Sequence, residues 1–245
     1  MSENRVQRPK GHGWGAYFWP YVSFGVISHL GDGLPESLQP VALPLTVVAP
    51  IGLMIYYFSR GHYSELRRYP FGAGGASLDF AIGVAGAALW MAPYLLFGSL
   101  RPDEAGFDAN QWGKSLAPVV LAIRCVGYGI VTPFWEELLI RSWLIRYIEV
   151  FDKVGDFRDV PIGHYSKRSF WVVVIFFSLS HVPWEYLVAV PWIVLSLFWF
   201  YYRKNLLSMV ILHAGSNLTI FFFVLLQTGK WLDADGNPLN LWFFV

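Results

Sequence analysis

Apolar residues in this chain form long blocks rather than alternating or short amphipathic patterns. The blocks cover roughly 16–30, 41–59, 78–100, 116–148, 169–181, 187–202 and 206–227, with short polar connections between them. About 20 apolar residues in a helix cross the hydrocarbon core of a bilayer, so the pattern predicts an all-α, polytopic transmembrane helix bundle of about seven or eight helices. The fourth block is too long for one straight crossing. Gly127, Gly129 and Pro133 fall inside it, which predicts a kinked or broken helix whose second part starts near Pro133. The tail 231–245, with Asp233, Asp235, Gly236, Asn237 and Pro238, reads as a turn between aromatic anchors at a membrane interface. No internal repeat, low-complexity tract or second soluble domain is visible. The whole of 1–245 reads as one integral membrane domain, with N-terminal helices to 115, a core over 116–227 and a tail from 228.

Composition agrees with the pattern. The chain is 55% hydrophobic and 14% charged, where a soluble domain is about a quarter charged, and its mean hydropathy is +0.43. A net charge of +1 with no basic stripe excludes a nucleic-acid partner and leaves the lipid bilayer as the obligatory one. One cysteine, Cys125, excludes an internal disulfide and any Cys-rich metal or iron–sulfur site. Basic residues occupy alternate connections: Arg5, Arg8 and Lys10, then Arg60, Arg67 and Arg68, then Lys153, Arg158, Lys167 and Arg168, then Arg203 and Lys204. The 31–40 connection holds only Asp32 and Glu36. The positive-inside rule then puts the N-terminus in the cytoplasm and the C-terminus outside, in keeping with an odd number of crossings. The first block reads as an uncleaved span, because no small-x-small cleavage site follows its basic flank.

Three groups of polar residues interrupt the apolar blocks. Glu136, Glu137 and Arg141 lie in the fourth, where one Glu or Arg costs roughly 2.5 to 3.5 kcal/mol to insert, so they must face partners or a wet cavity. At about 100° per residue Glu137 and Arg141 are i,i+4 neighbours on one face, whereas Glu136 lies about 140° from Arg141. Glu137 therefore takes the guanidinium and Glu136 points elsewhere, a desolvated carboxylate suited to general-base work. His181 closes the run Phe177-Ser178-Leu179-Ser180 just before Val182-Pro183; a lone histidine at a helix end is more often structural. His213 and Asn217 are again i,i+4, with small Ala214, Gly215 and Ser216 between them. They suit either interhelical polar contacts or a pair of oxyanion donors.

In order, Glu-Glu-x-x-x-Arg, Phe-x-x-x-His and His-x-x-x-Asn resemble the three motifs of the CAAX protease and bacteriocin-processing family of intramembrane glutamic proteases. Glu136, Glu137 and Arg141 match the first motif, Phe177 and His181 the second, His213 and Asn217 the third. The resemblance implies an endopeptidase that acts on a membrane-associated peptide or protein without a cofactor or metal. It implies that Glu136 with His181 activates water, that His213 and Asn217 stabilise the oxyanion, and that Glu137 and Arg141 support the site. One departure falls at Ile140-Arg141-Ser142, where many members have Phe-Arg-Gly, so packing at that turn should differ. The helices before Leu78 match no known family, while the overall layout is similar to bacterial members associated with exosortase systems, which suggests a bacterial plasma membrane. A prenylated C-terminus, a bacteriocin leader and a sorting-signal remnant all stay open as substrates.

Other chemistries weigh less. His-Glu-x-x-His and Gly-x-Ser-x-Gly are both absent. A zinc site from Glu136, His181 and His213 is the runner-up mechanism. A proton-coupled transporter, which an internal repeat would favour, and a haem protein ligated by His29, His181 or His213 are the non-protease alternatives.

Overall fold

The computed structural model describes residues 13–35, 37–103, 106–233 and 236–245. Arg5, Arg8, Lys10, Glu36 and Asp235, on which parts of the charge and turn readings rest, lie outside the described residues. Among the described residues seven α-helices follow one another: α1 (Gly15–Asp32), α2 (Gln39–Ser59), α3 (Gly72–Leu96), α4 (Ala117–Ile148), α5 (Lys167–Leu179), α6 (Tyr186–Arg203) and α7 (Leu206–Gln227). Among the described residues the sole β feature is an isolated bridge between Leu232 and Pro238. The protein is an all-α membrane bundle, as the apolar blocks predict.

Five helices, α2, α3, α4, α6 and α7, are long and apolar enough to cross a membrane. The other two apolar blocks fall short for local reasons. Helix α1 carries Pro20, Ser23, His29 and Asp32 within eighteen residues. Helix α5 has thirteen residues, about 20 Å of helix against a core of about 30 Å. Polar residues start two of the helices. Ser166 accepts from Ser169 N–H to begin α5, and Asn205 accepts from Ser208 N–H to begin α7. Lys204, left-handed at φ 50°, turns the chain between α6 and α7 in two residues.

Helix α4 corrects the broken-helix expectation. It runs on through Pro133, but two stretches widen to π geometry, Gly127–Val131 and Leu138–Leu144. The first has a direct cause. Thr132 N–H bonds back five residues to the Gly127 carbonyl. The next donor in that register would be residue 133, and a proline has no N–H to give to the Tyr128 carbonyl. Asn217 Nδ2 donates to that carbonyl instead, at 2.8 Å. Pro133 thus leaves a backbone acceptor that α7 satisfies.

Small residues let α3 and α7 touch. A Cβ on Gly83 would stand 2.0 Å from the Leu212 carbonyl oxygen, and one on Gly215 would stand 2.8 Å from that of Phe80. The largest apolar core joins Trp90, Ile140, Phe177, Trp192, Leu212 and Ile220, drawn from α3 to α7. Two buried acids brace one end of the bundle. Asp79 accepts from Tyr69 Oη, Trp199 Nε1 and Arg203 Nε at 2.8–2.9 Å. Glu65 accepts from Tyr17 Oη, Ser142 Oγ and Arg146 Nη2. Ser142, the departure at the first motif, is fully buried and spends its hydroxyl in this cluster.

The tail forms the expected turn: Asp233 N–H donates to Asn237 O at 2.8 Å and Leu239 N–H to Trp231 O at 2.7 Å. Its last aromatics turn back onto the bundle. Leu241 and Phe244 are buried, and Trp242, Phe243 and Phe244 pack back onto Phe221 and Tyr94. Apolar burial on the protein wins over interfacial exposure once the turn reverses the chain.

Candidate active site

Glu136 and Glu137 take different environments, as the helical arithmetic predicts. Glu137 has no exposed side-chain surface, and Arg141 Nη1 donates to both of its oxygens at 2.6 Å. Arg141 is equally buried. Its Nη2 donates to Ser196 Oγ on α6 at 2.7 Å, and its guanidinium lies 5.7 Å from the Trp192 ring centroid. The π-helical stretch around Arg141 keeps the i,i+4 contact with Glu137. Glu136, by contrast, is 21% exposed, into a cavity of about 460 Å³ whose wall also includes His181, His213 and Asn217.

His213 on α7 bridges the two acids. Its Nδ1 lies 2.9 Å from Glu137 Oε1 and its Nε2 lies 3.8 Å from Glu136 Oε2. The Arg141-held carboxylate fixes the ring and aims Nε2 at Glu136 and the cavity, the geometry by which one partner of an imidazole sets the role of its other nitrogen. His181 is oriented by its own helix. Its Nδ1 stands 2.7 Å from the Phe177 carbonyl, which only accepts, so Nδ1 carries the proton and Nε2 is the acceptor. Its ring rests on Phe177 at 4.4 Å and beside Trp90 at 5.4 Å. Phe177 in turn stacks on Trp192 at 5.3 Å, and Trp192 meets His213 edge-on at 5.1 Å. Asn217 uses one amide hydrogen on the Tyr128 carbonyl and keeps the second.

Glu136, His181, His213 and Asn217 therefore share one cavity, while Glu137, Arg141 and Phe177 hold them from behind. His29 lies exposed on α1 and takes no part. Among the described residues no three His, Cys, Asp or Glu side chains are grouped so as to hold a metal ion. Three contributors do not stand out in the motif reading. Ser196, which receives Arg141, and Trp192, the aromatic floor, carry no sequence signal beyond an apolar helix. Arg124, also on the cavity wall, does carry one: it is a cation in the same apolar block as Glu136.

The family model for type II CAAX prenyl endopeptidases, Rce1-like, matches residues 118–219. No curated protein and no solved structure matches the chain. The matched segment holds every residue of the three motifs and supports a CAAX-type intramembrane endopeptidase. Residues 118–219 are thus similar to Rce1-like type II CAAX prenyl endopeptidases.

Proposed function

We propose that this protein hydrolyses a peptide bond of a membrane-associated substrate, with a prenylated CAAX-like C-terminus or a sorting-signal segment as the substrate class. One observation carries the reading. Of two adjacent glutamates, Glu137 is fully occupied by Arg141 and His213, which leaves Glu136 facing a cavity with two histidines and an asparagine. That is a base, a second acceptor and two donors converging on one space.

Water held between Glu136 and His181 Nε2 gives a proton to Glu136 as its oxygen attacks the scissile carbonyl. The oxyanion that forms accepts from Nε2–H of His213, held as the imidazolium between the two carboxylates, and from the second hydrogen of Asn217 Nδ2. As the C–N bond breaks, the proton held at Glu136 passes to the leaving amine, which leaves Glu136 ionised for the next turnover. Charge counting is consistent with this. Glu137 and Arg141 cancel, so one proton shared between Glu136 and His213 neutralises the buried group, a proton the reaction can move. The N-terminus faces the cytoplasm of a bacterial plasma membrane in this reading, which rests on the basic residues of alternate connections.

Mass spectrometry of a farnesylated CAAX peptide incubated with the purified chain in nanodiscs tests the proposal. Release of the C-terminal fragment by the wild type but not by Glu136→Gln or His181→Ala is the expected result. Cleavage by Glu136→Gln at the wild-type rate removes Glu136 from the mechanism.

A further inference from the structure

Arg124 is a charge that neither the three motifs nor the mechanism above uses. It sits in α4, inside a membrane-crossing helix, on the wall of the same cavity as Glu136. Its Nε is inaccessible to solvent and has no hydrogen-bond partner. Among the described residues no carboxylate lies within ion-pair distance of its guanidinium, Glu185 on the same wall included. Two aromatic rings stand close to it: the ring centroids of Phe107 and Tyr128 lie 5.1 and 5.9 Å from its Cζ. The other three arginines of this kind in the bundle, Arg141, Arg146 and Arg203, each hold a buried glutamate or aspartate.

A guanidinium stays charged in any protein environment, and one without an anion inside a membrane helix is costly. Arg124 borders the cavity, where an anion carried by a substrate can reach it. Along α4, Arg124, Tyr128, Thr132 and Glu136 recur every four residues and all border the cavity, so the cation and the proposed base lie on one stripe of one helix. About 18 Å of helix rise separates Glu136 from Arg124, so a substrate segment must run along the cavity to meet both. A planar fork of donors framed by two aromatic faces is a site for a carboxylate.

We propose that Arg124 seats the free C-terminal carboxylate of the substrate and makes the enzyme selective for cleavage near a chain terminus. The inference rests on the endopeptidase reading for its biological sense, but the carboxylate site is a separate physical claim. Arg124 is a specificity residue, remote from the reacting atoms. It raises affinity for acid-terminated substrates and leaves the chemical step alone.

The experiment measures equilibrium binding of a farnesylated CAAX peptide, N-methylated at the scissile amide, to the full chain in neutral-lipid nanodiscs. The peptide is used as the free acid and as the C-terminal amide. Wild type should prefer the acid by roughly tenfold to a hundredfold, the range of one charge-assisted fork in a desolvated site. Arg124→Gln should abolish the preference by weakening the acid alone, and Arg124→Lys should keep part of it. Folded yield of Arg124→Gln should equal or exceed that of wild type, because an unpaired buried charge is removed. With cleavable peptides the same variant should raise KM for the acid and leave kcat unchanged. Equal binding of acid and amide by wild type overturns the proposal, as does a preference that survives in Arg124→Gln. It is also overturned if the property Arg124→Gln loses is binding of anionic lipid. A wild type that binds the acid selectively yet cleaves nothing refutes the endopeptidase reading and leaves the carboxylate site standing.

Discussion

Removing either member of the Glu137–Arg141 pair should destabilise the protein strongly, and removing both should cost less than the sum of the two single losses. Both side chains are fully buried, and Glu137 accepts two bonds from Arg141 and one from His213. Arg141→Ala strands a carboxylate in the bundle and also leaves Ser196 Oγ without its guanidinium. Glu137→Ala strands a guanidinium. Breaking a buried pair by one partner costs about 3 to 5 kcal/mol. For a chain of this length each kcal/mol moves the melting temperature by about 2 to 4 °C, so either single substitution should lower it by roughly 6 to 20 °C. The double substitution strands no charge. Its loss should fall short of the sum by about 2 to 3 kcal/mol, near the top of the range for coupled neighbours. Thermal unfolding of the four proteins in one detergent, followed by tryptophan fluorescence, measures the cycle. Losses that add to within about 0.5 kcal/mol would show that the pair does not interact and would remove the basis for assigning different roles to the two glutamates.

Asn217→Ala should lower kcat by about 10²- to 10³-fold through loss of an oxyanion donor. It should also lower stability by about 1 to 3 kcal/mol, since it orphans the Tyr128 carbonyl that Pro133 cannot reach; paired kinetics and melting curves check both, and an unchanged melting temperature would contradict the Pro133 argument. Gly83→Ala should cost about 1 to 3 kcal/mol or more, because its new methyl meets the Leu212 carbonyl at 2.0 Å. A Gly83→Ala protein as stable as wild type would show that α3 and α7 do not approach as closely as described. Thr132→Val, on the cavity wall near Glu136, should leave stability within a few tenths of a kcal/mol, measured by the same melting curves, because among the described residues its hydroxyl bonds no other element.

The parts of this account that were legible in the sequence are those that follow from the cost of charge in an apolar run. Glu137 and Arg141 meet because i,i+4 residues share a face whatever the rest of the bundle does, and the same rule frees Glu136. The grouping of His181 with His213 was not fixed by spacing, since helices α5 and α7 meet only through tertiary packing; the order of three motifs supplied it. Pro133 signalled a disturbance but not its form, because whether a proline breaks or widens a helix depends on a partner for the orphaned carbonyl. That partner, Asn217, is 89 residues from Tyr128. Helices α1 and α5 fall short of the length and apolarity that a crossing needs, one through internal polar residues and the other through its thirteen residues. Ser196 was illegible: a serine in an apolar helix usually bonds its own backbone, as Ser178 does with Val174. Arg124 went unread, although the insertion cost that marked Glu136 applies to it equally.

The central claim is that Glu136 activates water without help from a metal. Wild type and Glu136→Gln, both stripped with phenanthroline and EDTA and assayed by elemental analysis, can be compared on one farnesylated peptide. The account predicts that stripped wild type, with far less than one equivalent of zinc or iron, cleaves at its original rate while Glu136→Gln is inactive yet melts at the same temperature. A stoichiometric metal on wild type, whose removal stops cleavage and whose return restores it, would contradict the account.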